Sequence, residues 1–324
     1  MRTHLLYDFS AKFAMWFKNL VVYRLPKDWG LSAADLEDQL WGRKLRECSS
    51  LEMFNRGWMP PTGDDDQRLV HTVNRQHLIA LGTNQKLLPS SIIKQETQVR
   101  AKALAQEQGH PVARRQLREI KDRVTTELRA RALTRRKVMH AWIDPDNGLF
   151  VVDSSSLPRA EELVETLRDT LGSFAVTPLE TERSPQTAMG TWLMAGDAPL
   201  RFSIDQDLEL QAVDKTKATV RYQRHPLEAK EIKSHLSAGK YVTLLGLTWN
   251  DRVALVLTEK LQIKRLQFLE MAEETPGEEA AAEEAINAAE KFDTDFLLMT
   301  GELSNVLKDL FEALGGAGEK RAAA

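Results

Sequence analysis

The sequence predicts an α+β fold, in which strands and helices are mixed without the regular alternation that builds a parallel sheet. Two observations lead to this prediction. Short segments rich in aromatic and β-branched residues indicate strands near the N-terminus and again between residues 200 and 268. Longer segments with an apolar residue every three or four positions indicate helices between and after them. With 324 residues, 42% of them hydrophobic, the chain can bury a large core.

The N-terminal elements are predicted from local composition. Residues 15–25, MWFKNLVVYRL, are typical of a strand. A short helix over 32–40 follows, with Ser32 as its N-cap. We expect residues 57–61, GWMPP, to form a rigid turn, because prolines cannot join a strand ladder or a helix interior. A further apolar run at 77–81 predicts a second strand.

Two long helices are predicted next. The first begins near Ser90 and ends near Gln108, because Gly109-His110-Pro111 stops it. The second covers 113–131. Its apolar stripe consists of Leu117, Ile120, Val124 and Leu128. At about 100° per residue, five cations fall in one band about 120° wide beside this stripe. They are Arg114, Arg115, Arg118, Lys121 and Arg129.

The remaining elements follow the same rules of periodicity and turn chemistry. A hairpin over 138–152 turns at Asp144-Pro145-Asp146-Asn147-Gly148. The last helix is predicted from apolar residues between Leu303 and Leu314, and Gly315-Gly316 ends it. The other predictions are helices at 158–172, 185–195 and 227–238, a strand-like segment at 174–179, strands within 200–225, and a three-stranded meander over 241–268.

We expect three α+β sub-parts with connecting and terminal segments. Residues 1–14 lack a clear pattern and form an extra N-terminal tail, with Met15 as an alternative start. The predicted division is 15–88 as an N-terminal α+β part, 89–137 as a basic helical arm, 138–270 as a central and C-terminal α+β part, 271–295 as an acidic linker or helix, 296–316 as a C-terminal amphipathic helix, and 317–324 as a frayed tail.

The net charge of −3 conceals a strong asymmetry along the chain. Residues 94–140 hold 13 basic and five acidic residues, a local charge of +8. Residues 270–295 hold ten acidic residues and one lysine, a local charge of −9. Because local charge governs contact with phosphates, the small total does not exclude a nucleic-acid partner.

Several function classes lack their sequence signals. The single Cys48 excludes an intrachain disulfide and a multi-cysteine zinc site, and it suits a reducing cytoplasm. No stretch approaches the roughly 18–20 apolar residues of a membrane span, and the N-terminus does not resemble a secretion signal. Phosphate-loop, dinucleotide-binding and common hydrolase motifs are absent, so we expect no cofactor and no enzymatic activity.

Some residues allow two interpretations. Asp64, Asp65 and Asp66 are able to hold Mg²⁺ in a nuclease, although a solvated loop is the simpler interpretation. Asp144 and Asp146 fit turn chemistry better than metal binding. On composition alone, the basic helix is a solvated surface, a DNA-binding face, or the contact of an anionic partner protein or of a membrane surface. The absence of Trp and Phe from its apolar stripe argues against the membrane. A scaffold that docks through its C-terminal helix is the corresponding non-DNA alternative.

Five segments follow one another in order along the chain: MWFKNLVVYRL at 15–25, GWMPP at 57–61, LLPSSIIKQ at 87–95, WIDPDNG at 142–148 and LLMTGELSNVLKDLFEALGG at 297–316. Together they resemble the family of bacterial recombination-associated RdgC proteins. The resemblance implies a non-enzymatic, nucleoid-associated protein of the cytoplasm. It also implies a homodimeric ring that encircles double-stranded DNA with little sequence preference, restrains RecA-driven strand exchange and supports recombination and replication restart.

The resemblance also implies site residues. The family's ring closes at a gate, where an Arg-Ala-Phe segment precedes the hairpin. Here Arg131 and Ala132 match, and Leu133 replaces the aromatic residue. A second gate segment aligns with Arg224 and His225. The cations expected to face DNA are Arg114, Arg115, Arg118, Lys121, Arg129, Arg131, Arg135, Arg136, Lys137 and Arg224.

Overall fold

Strands and helices follow one another irregularly along the chain, as the α+β prediction requires. The structure is a computed structural model that describes residues 16–26, 29–63, 66–227, 229–269 and 288–316. Within these residues the strands are β1 (Leu20–Arg24), β2 (Phe54–Met59), β3 (Val70–Val73), β4 (Gln76–Lys86), β5 (Thr134–Asp144), β6 (Leu149–Asp153), β7 (Thr177–Pro178), β8 (Phe202–Ala212), β9 (Thr219–Tyr222), β10 (Lys240–Trp249), β11 (Val253–Thr258) and β12 (Ile263–Phe268). The helices are α1 (Ala33–Trp41), α2 (Ser90–Gln108), α3 (Arg114–Arg131), α4 (Leu157–Leu171), α5 (Pro185–Ala195), α6 (Ala229–Ser237) and α7 (Ala288–Ala313).

All of these strands belong to one antiparallel sheet. Their order is β2-β4-β5-β6-β1-β12-β11-β10-β8-β9, with β3 paired to β4 and β7 paired to β1. Two halves of the sheet meet at β1 and β12, which are paired at Leu20 and Ile263. The mixed composition of helices and strands is therefore confirmed, and the three-part division of the chain stays a prediction.

Two hydrophobic clusters form on opposite faces of the sheet, because successive side chains of a strand point to opposite sides. Leu78 of β4 belongs to a cluster that includes residues of α5, α6 and α7. Its neighbour Ile79 belongs to a second cluster with residues of α1 and α4. Helices thus cover both faces of the central strands, and the two cores extend from them.

The C-terminal helix is confirmed and begins earlier than the predicted apolar stripe. Leu303, Leu307 and Leu310 are fully buried, as their spacing predicts. Helix α7 already begins at Ala288, and its Phe296 packs edge-on against the ring of His71 in β3, with 5.6 Å between ring centroids. Most of the predicted acidic segment, residues 270–287, lies outside the described residues, as do 1–15 and 317–324.

The predicted turn over residues 57–61 is wrong in its first half. Gly57, Trp58 and Met59 lie within β2 and pair with β4, and only the prolines leave the strand. Residues 43–45 pair with the other edge of β2, where the Trp58 N–H donates to the Arg43 carbonyl at 2.9 Å. The glycine permits this close approach, because a Cβ at position 57 would lie 2.6 Å from Leu45 Cα.

We expect Gly57→Ala to destabilise the protein by about 1–3 kcal/mol, because the added methyl group would collide with the backbone of residues 43–45. The matched control is Gly190→Ala within α5, where a Cβ meets nothing within 4 Å and helix propensity favours alanine by about 0.5–1 kcal/mol. Urea unfolding measures both effects. Equal free energies of unfolding for Gly57→Ala and Gly190→Ala would show that residues 43–45 leave room for a methyl group at position 57.

Other predicted elements differ only in length. The strand predicted at 77–81 extends over the whole of β4, and the segment at 174–179 contributes only the two-residue β7. The helix at 185–195 and the meander from β10 to β12 are confirmed. Among the described residues, no helix has both the length and the apolar character needed to cross a membrane.

Three partly or fully buried histidines predict a pH dependence of stability. Burial lowers the pKa of His71, His77 and His140 below the ordinary value. Below about pH 6.5 the unfolded chain takes up protons that the folded chain does not bind, so stability must fall as the pH decreases. We therefore expect a lower urea midpoint at pH 5.5 than at pH 7.5. An unchanged midpoint would contradict the neutral state of these rings.

Candidate nucleic-acid interface

The basic arm, residues 89–137, is built from α2, α3 and the first residues of β5. Helices α2 and α3 pack on each other, and neither makes comparably extensive contact with another described element. Gly109 ends α2 in the left-handed conformation, at φ 72°. Arg100 joins the two helices, because its guanidinium contacts Glu96 of α2 at 2.9 Å and Glu127 of α3 at 2.8 Å. The arm is therefore a helical hairpin with its own internal contacts.

A buried lysine attaches the basic arm to the sheet. Lys86 is only 6% exposed, and its ammonium donates to the Ser49 carbonyl at 2.6 Å and to the Arg129 carbonyl at 3.0 Å. A cation suits this position because the last carbonyls of a helix carry partial negative charge. The Leu87 N–H also donates to the Leu133 carbonyl at 2.8 Å. Together these bonds fix the end of α3 against the end of β4.

We expect Lys86→Met to loosen the basic arm, because it removes the Lys86 donor from the Ser49 carbonyl and leaves the Arg129 carbonyl with the longer bond from the Ala132 N–H, at 3.4 Å. The expected cost is about 1–3 kcal/mol. Hydrogen exchange followed by mass spectrometry measures the effect, with faster exchange expected over α3 than over β10 and β11. The exposed Lys102→Met change in α2 is the control. Uniform acceleration over the whole sheet would mean that Lys86 stabilises the fold rather than the attachment.

The cations predicted on α3 differ in their surroundings. Arg114, Arg118 and Lys121 are exposed and form no ion pair within the described part of the chain. Arg115 is exposed but paired with Glu119 at 3.2 Å. Arg129 is partly buried, and its Nε is buried without a hydrogen-bond partner among the described residues. Arg114, Arg118 and Lys121 therefore form an exposed positive row on α3.

The cations after α3 lie in a strand rather than in a connecting segment. Arg131 is exposed at the end of α3, whereas Arg135, Arg136 and Lys137 belong to β5. Because side chains alternate along a strand, Arg136 points to the face opposite Arg135 and Lys137. Arg136 donates through Nε to Asn84 Oδ1 at 3.1 Å. The sheet therefore separates Arg136 from its two basic neighbours.

The second predicted cluster lies far from the basic arm. Arg224 and His225 are exposed between β9 and α6, and the Arg224 N–H donates to Asp207 Oδ1 at 3.2 Å. In the sheet order, β9 lies seven positions beyond β5, which is about 34 Å along the sheet at ~4.8 Å per strand. Within one chain, the strand order therefore separates these residues from the β5 end of the basic arm.

Exposed apolar side chains accompany the cations at the base of the arm. Leu133, the predicted gate residue, is 48% exposed, and Leu87 beside it is similarly exposed. Sequence reasoning missed Leu87 and the exposed Phe54 of β2. Once residues 54–58 are assigned to a strand, alternation places Phe54 on the same face as Arg56 and Trp58. This pattern is the sequence signal that could have identified Phe54.

Two of the acidic residues that the sequence offers as possible metal ligands, Asp66 and Asp144, have hydrogen-bond partners. Asp66 accepts hydrogen bonds from Arg68 and Thr62; although burial opposes ionisation, these bonds lower its pKa to about 2. Asp64 and Asp65 lie outside the described residues. Buried Asp144 accepts from the Asn147 N–H at 3.1 Å and from Asn147 Nδ2 at 2.7 Å, which confirms the predicted turn chemistry. No group of three or more possible metal ligands occurs in the described ranges.

The comparison with known proteins agrees with the five sequence segments. A sequence model described as "Putative exonuclease, RdgC" matches residues 15–317. The chain belongs to the RdgC family. Recombination-associated proteins RdgC from Dechloromonas aromatica and from a Janthinobacterium species are 48% and 44% identical to it. The alignments cover 93% and 95% of this chain, and 98% and 100% of the relatives. Membership in the RdgC family implies a function associated with recombination.

Proposed function

We propose that this chain is a non-enzymatic protein that binds double-stranded DNA without sequence preference, through phosphate contacts of the basic arm. The observation that carries the proposal is the exposed positive surface of α3, where Arg114, Arg118 and Lys121 form no ion pair within the described residues. These positions are spaced i, i+4 and i+7, so they lie on one face and span about 10 Å of the helix axis. Cations in a row along a helix suit a phosphate backbone and carry no base-reading geometry.

The remaining cations extend this surface toward the sheet. Arg131, Arg135 and Lys137 are exposed at the junction of α3 and β5, and they add positive charge beside the arm. Arg115 and Arg129 add charge along α3 itself. Arg136 lies on the opposite face of the sheet, where its Nε donates to Asn84, so it does not extend this surface. Phosphate contact by such a set predicts a large loss of affinity as the salt concentration rises.

We infer that two chains form the homodimeric ring implied by the RdgC resemblance. The proposed gate residues support this, because Arg131 and Leu133 lie far along the sheet from Arg224 and His225. Two segments that are distant in one chain are able to meet between two chains in a closed arrangement. A ring on the duplex would restrain RecA-driven strand exchange by occupying DNA, in a nucleoid-associated protein of the cytoplasm. The relatives' names refer to recombination and support a role in that process.

Size-exclusion chromatography with light scattering, without and with duplex DNA, tests the proposal. We expect a dimer in solution and a complex of one dimer with each short duplex. A Leu133→Asp variant should form the dimer less well, because a charge at an apolar contact is costly to bury. A strict monomer that elutes separately from DNA would contradict both the assembly and the DNA contact.

An exonuclease is the second candidate, and the description of the matching family model favours it. Incubation of end-labelled duplex DNA with the protein and Mg²⁺ distinguishes the two. We expect the DNA to remain intact, because Asp66 already has Arg68 as its partner. Cleavage that disappears when Asp64, Asp65 and Asp66 are replaced by alanine would instead establish the exonuclease.

A further inference from the structure

One end of the sheet exposes a face that combines an aromatic ring with cations. The register of β2, β4 and β5 places Phe54, Gln85 and Arg135 in one row across the strands. The next row consists of Arg56, Thr83 and Lys137. Residues in register across an antiparallel sheet share a face. We name these six residues the open sheet face.

The two sides of the sheet differ at this end. On the opposite side, Asn84 and Lys86 are buried and contact the segment around Arg46 and Ser49 through hydrogen bonds to its carbonyls. On the open sheet face, Phe54 is 61% exposed, and Gln85 is exposed as well. A large aromatic ring is therefore presented to solvent on a rigid strand, where its position is fixed by the ladder.

The charges around Phe54 favour an anionic occupant. Arg135 is exposed and forms no ion pair within the residues that the structure describes, and Lys137 contacts only the uncharged Gln85 Oε1, at 3.4 Å. Arg56 is paired with Glu162 of α4 at 3.0 Å, so Glu162 marks the boundary of the face on that side. Two cations without carboxylate partners thus lie on the side of Phe54 that faces β5.

We propose that the open sheet face holds an unpaired nucleotide of DNA, with the base stacked on Phe54 and the phosphates held by Arg135 and Lys137. Phe54 and Arg135 are separated by two ladder spacings, about 10 Å, which is of the order of the size of a nucleotide. Aromatic side chains beside cations are the general means of binding single strands, because every base has a face that stacks. Duplex DNA keeps its base faces covered by neighbouring pairs, so it gains nothing from Phe54.

This proposal deepens the proposed DNA-binding function and assigns single-stranded regions to a surface separate from α3. A purely apolar partner would leave Arg135 and Lys137 without counter-charges at the contact, which makes it the poorer occupant. Arg135 and Lys137 are able to serve either surface, whereas Phe54 serves only the unpaired base. Phe54 is therefore the residue that separates this inference from the duplex-binding proposal.

Fluorescence anisotropy with labelled oligothymidine and with a duplex of equal length tests the inference. We expect Phe54→Ala to weaken binding of oligothymidine about tenfold, as for the loss of one stacked base, and to change duplex binding less than twofold. Phe54→Trp should retain single-strand affinity. The control is Leu51→Ala, which removes an exposed apolar side chain that lies outside β2 and should change neither affinity.

Two results would overturn the inference. Single-strand affinity that is unchanged in Phe54→Ala, while wild-type protein binds duplex DNA, would contradict the stacking site and leave the duplex proposal intact. A Phe54→Ala variant that is a monomer by light scattering, when the wild-type protein is a dimer, would show that a second chain covers this face. Wild-type protein that binds oligothymidine but no duplex would instead contradict the proposed function and leave the stacking site standing.

Discussion

Replacement of Arg114, Arg118 and Lys121 by glutamate is expected to reduce duplex affinity at least about 100-fold at physiological salt. Each substitution removes a phosphate contact and adds a repulsive charge at the same position, and phosphate contacts supply most of non-specific binding. The three side chains are exposed and form no ion pair among the described residues, so the change should leave the fold intact. Anisotropy titration with a duplex measures the loss, and circular dichroism checks the helix content.

The matched control keeps the change in net charge and alters its position. Arg159, Lys215 and Lys260 are exposed, lie outside the basic arm and form no ion pair within the described residues. Glutamate at all three should lower duplex affinity much less. Equal losses in the two triple variants would mean that total charge governs binding. Unchanged affinity of the variant in α3 would identify its cations as a solvated surface and favour the scaffold alternative.

Phe296→Ala is expected to cause the largest loss of stability, about 3–5 kcal/mol. Phe296 lies in α7, has 0% of its surface exposed, and packs against His71 of β3 as well as against the central sheet. Its removal leaves a cavity between the last helix and the N-terminal half of the sheet. Urea unfolding at pH 7.5 measures the change in the free energy of unfolding.

Leu298→Ala is the control for this prediction. Leu298 lies in the same helix two residues later, and it is 43% exposed. Because both substitutions replace a large apolar residue by alanine in one helix, their difference isolates burial. We expect Leu298→Ala to cost less than about 1 kcal/mol. Similar losses in the two variants would contradict the packing of α7 on the sheet.

The sequence predicted those elements whose signals are local. Helix α3 is confirmed within one residue of the predicted bounds, because its apolar stripe lies within the segment itself and the Gly109-His110-Pro111 stop of α2 lies directly before it. The meander of β10, β11 and β12 is confirmed for the same reason, with turns close to Asn250-Asp251 and Glu259-Lys260. Patterns with periods of 3.6 and 2 residues need no knowledge of distant contacts.

Features that depend on strand register could not be predicted. The two prolines after Trp58 predict a turn, whereas pairing with β4 and with residues 43–45 keeps Trp58 in a strand. The separation of Arg136 from Arg135 and Lys137 also follows from register, since a shift of one residue exchanges the two faces. The sequence also gives no indication that Lys86 is buried and attaches the arm, because both of its acceptor carbonyls come from distant segments.

The central claim is that the cations of the basic arm contact the phosphates of duplex DNA. Its most direct test is the affinity of wild-type protein for one duplex over a series of salt concentrations. We expect the logarithm of the association constant to fall linearly with the logarithm of salt concentration. With about 6–10 contacts, the affinity should decrease about 10³–10⁵-fold between 50 and 200 mM salt. Affinity that is insensitive to salt over this range, or no duplex binding even at low salt, would contradict the claim.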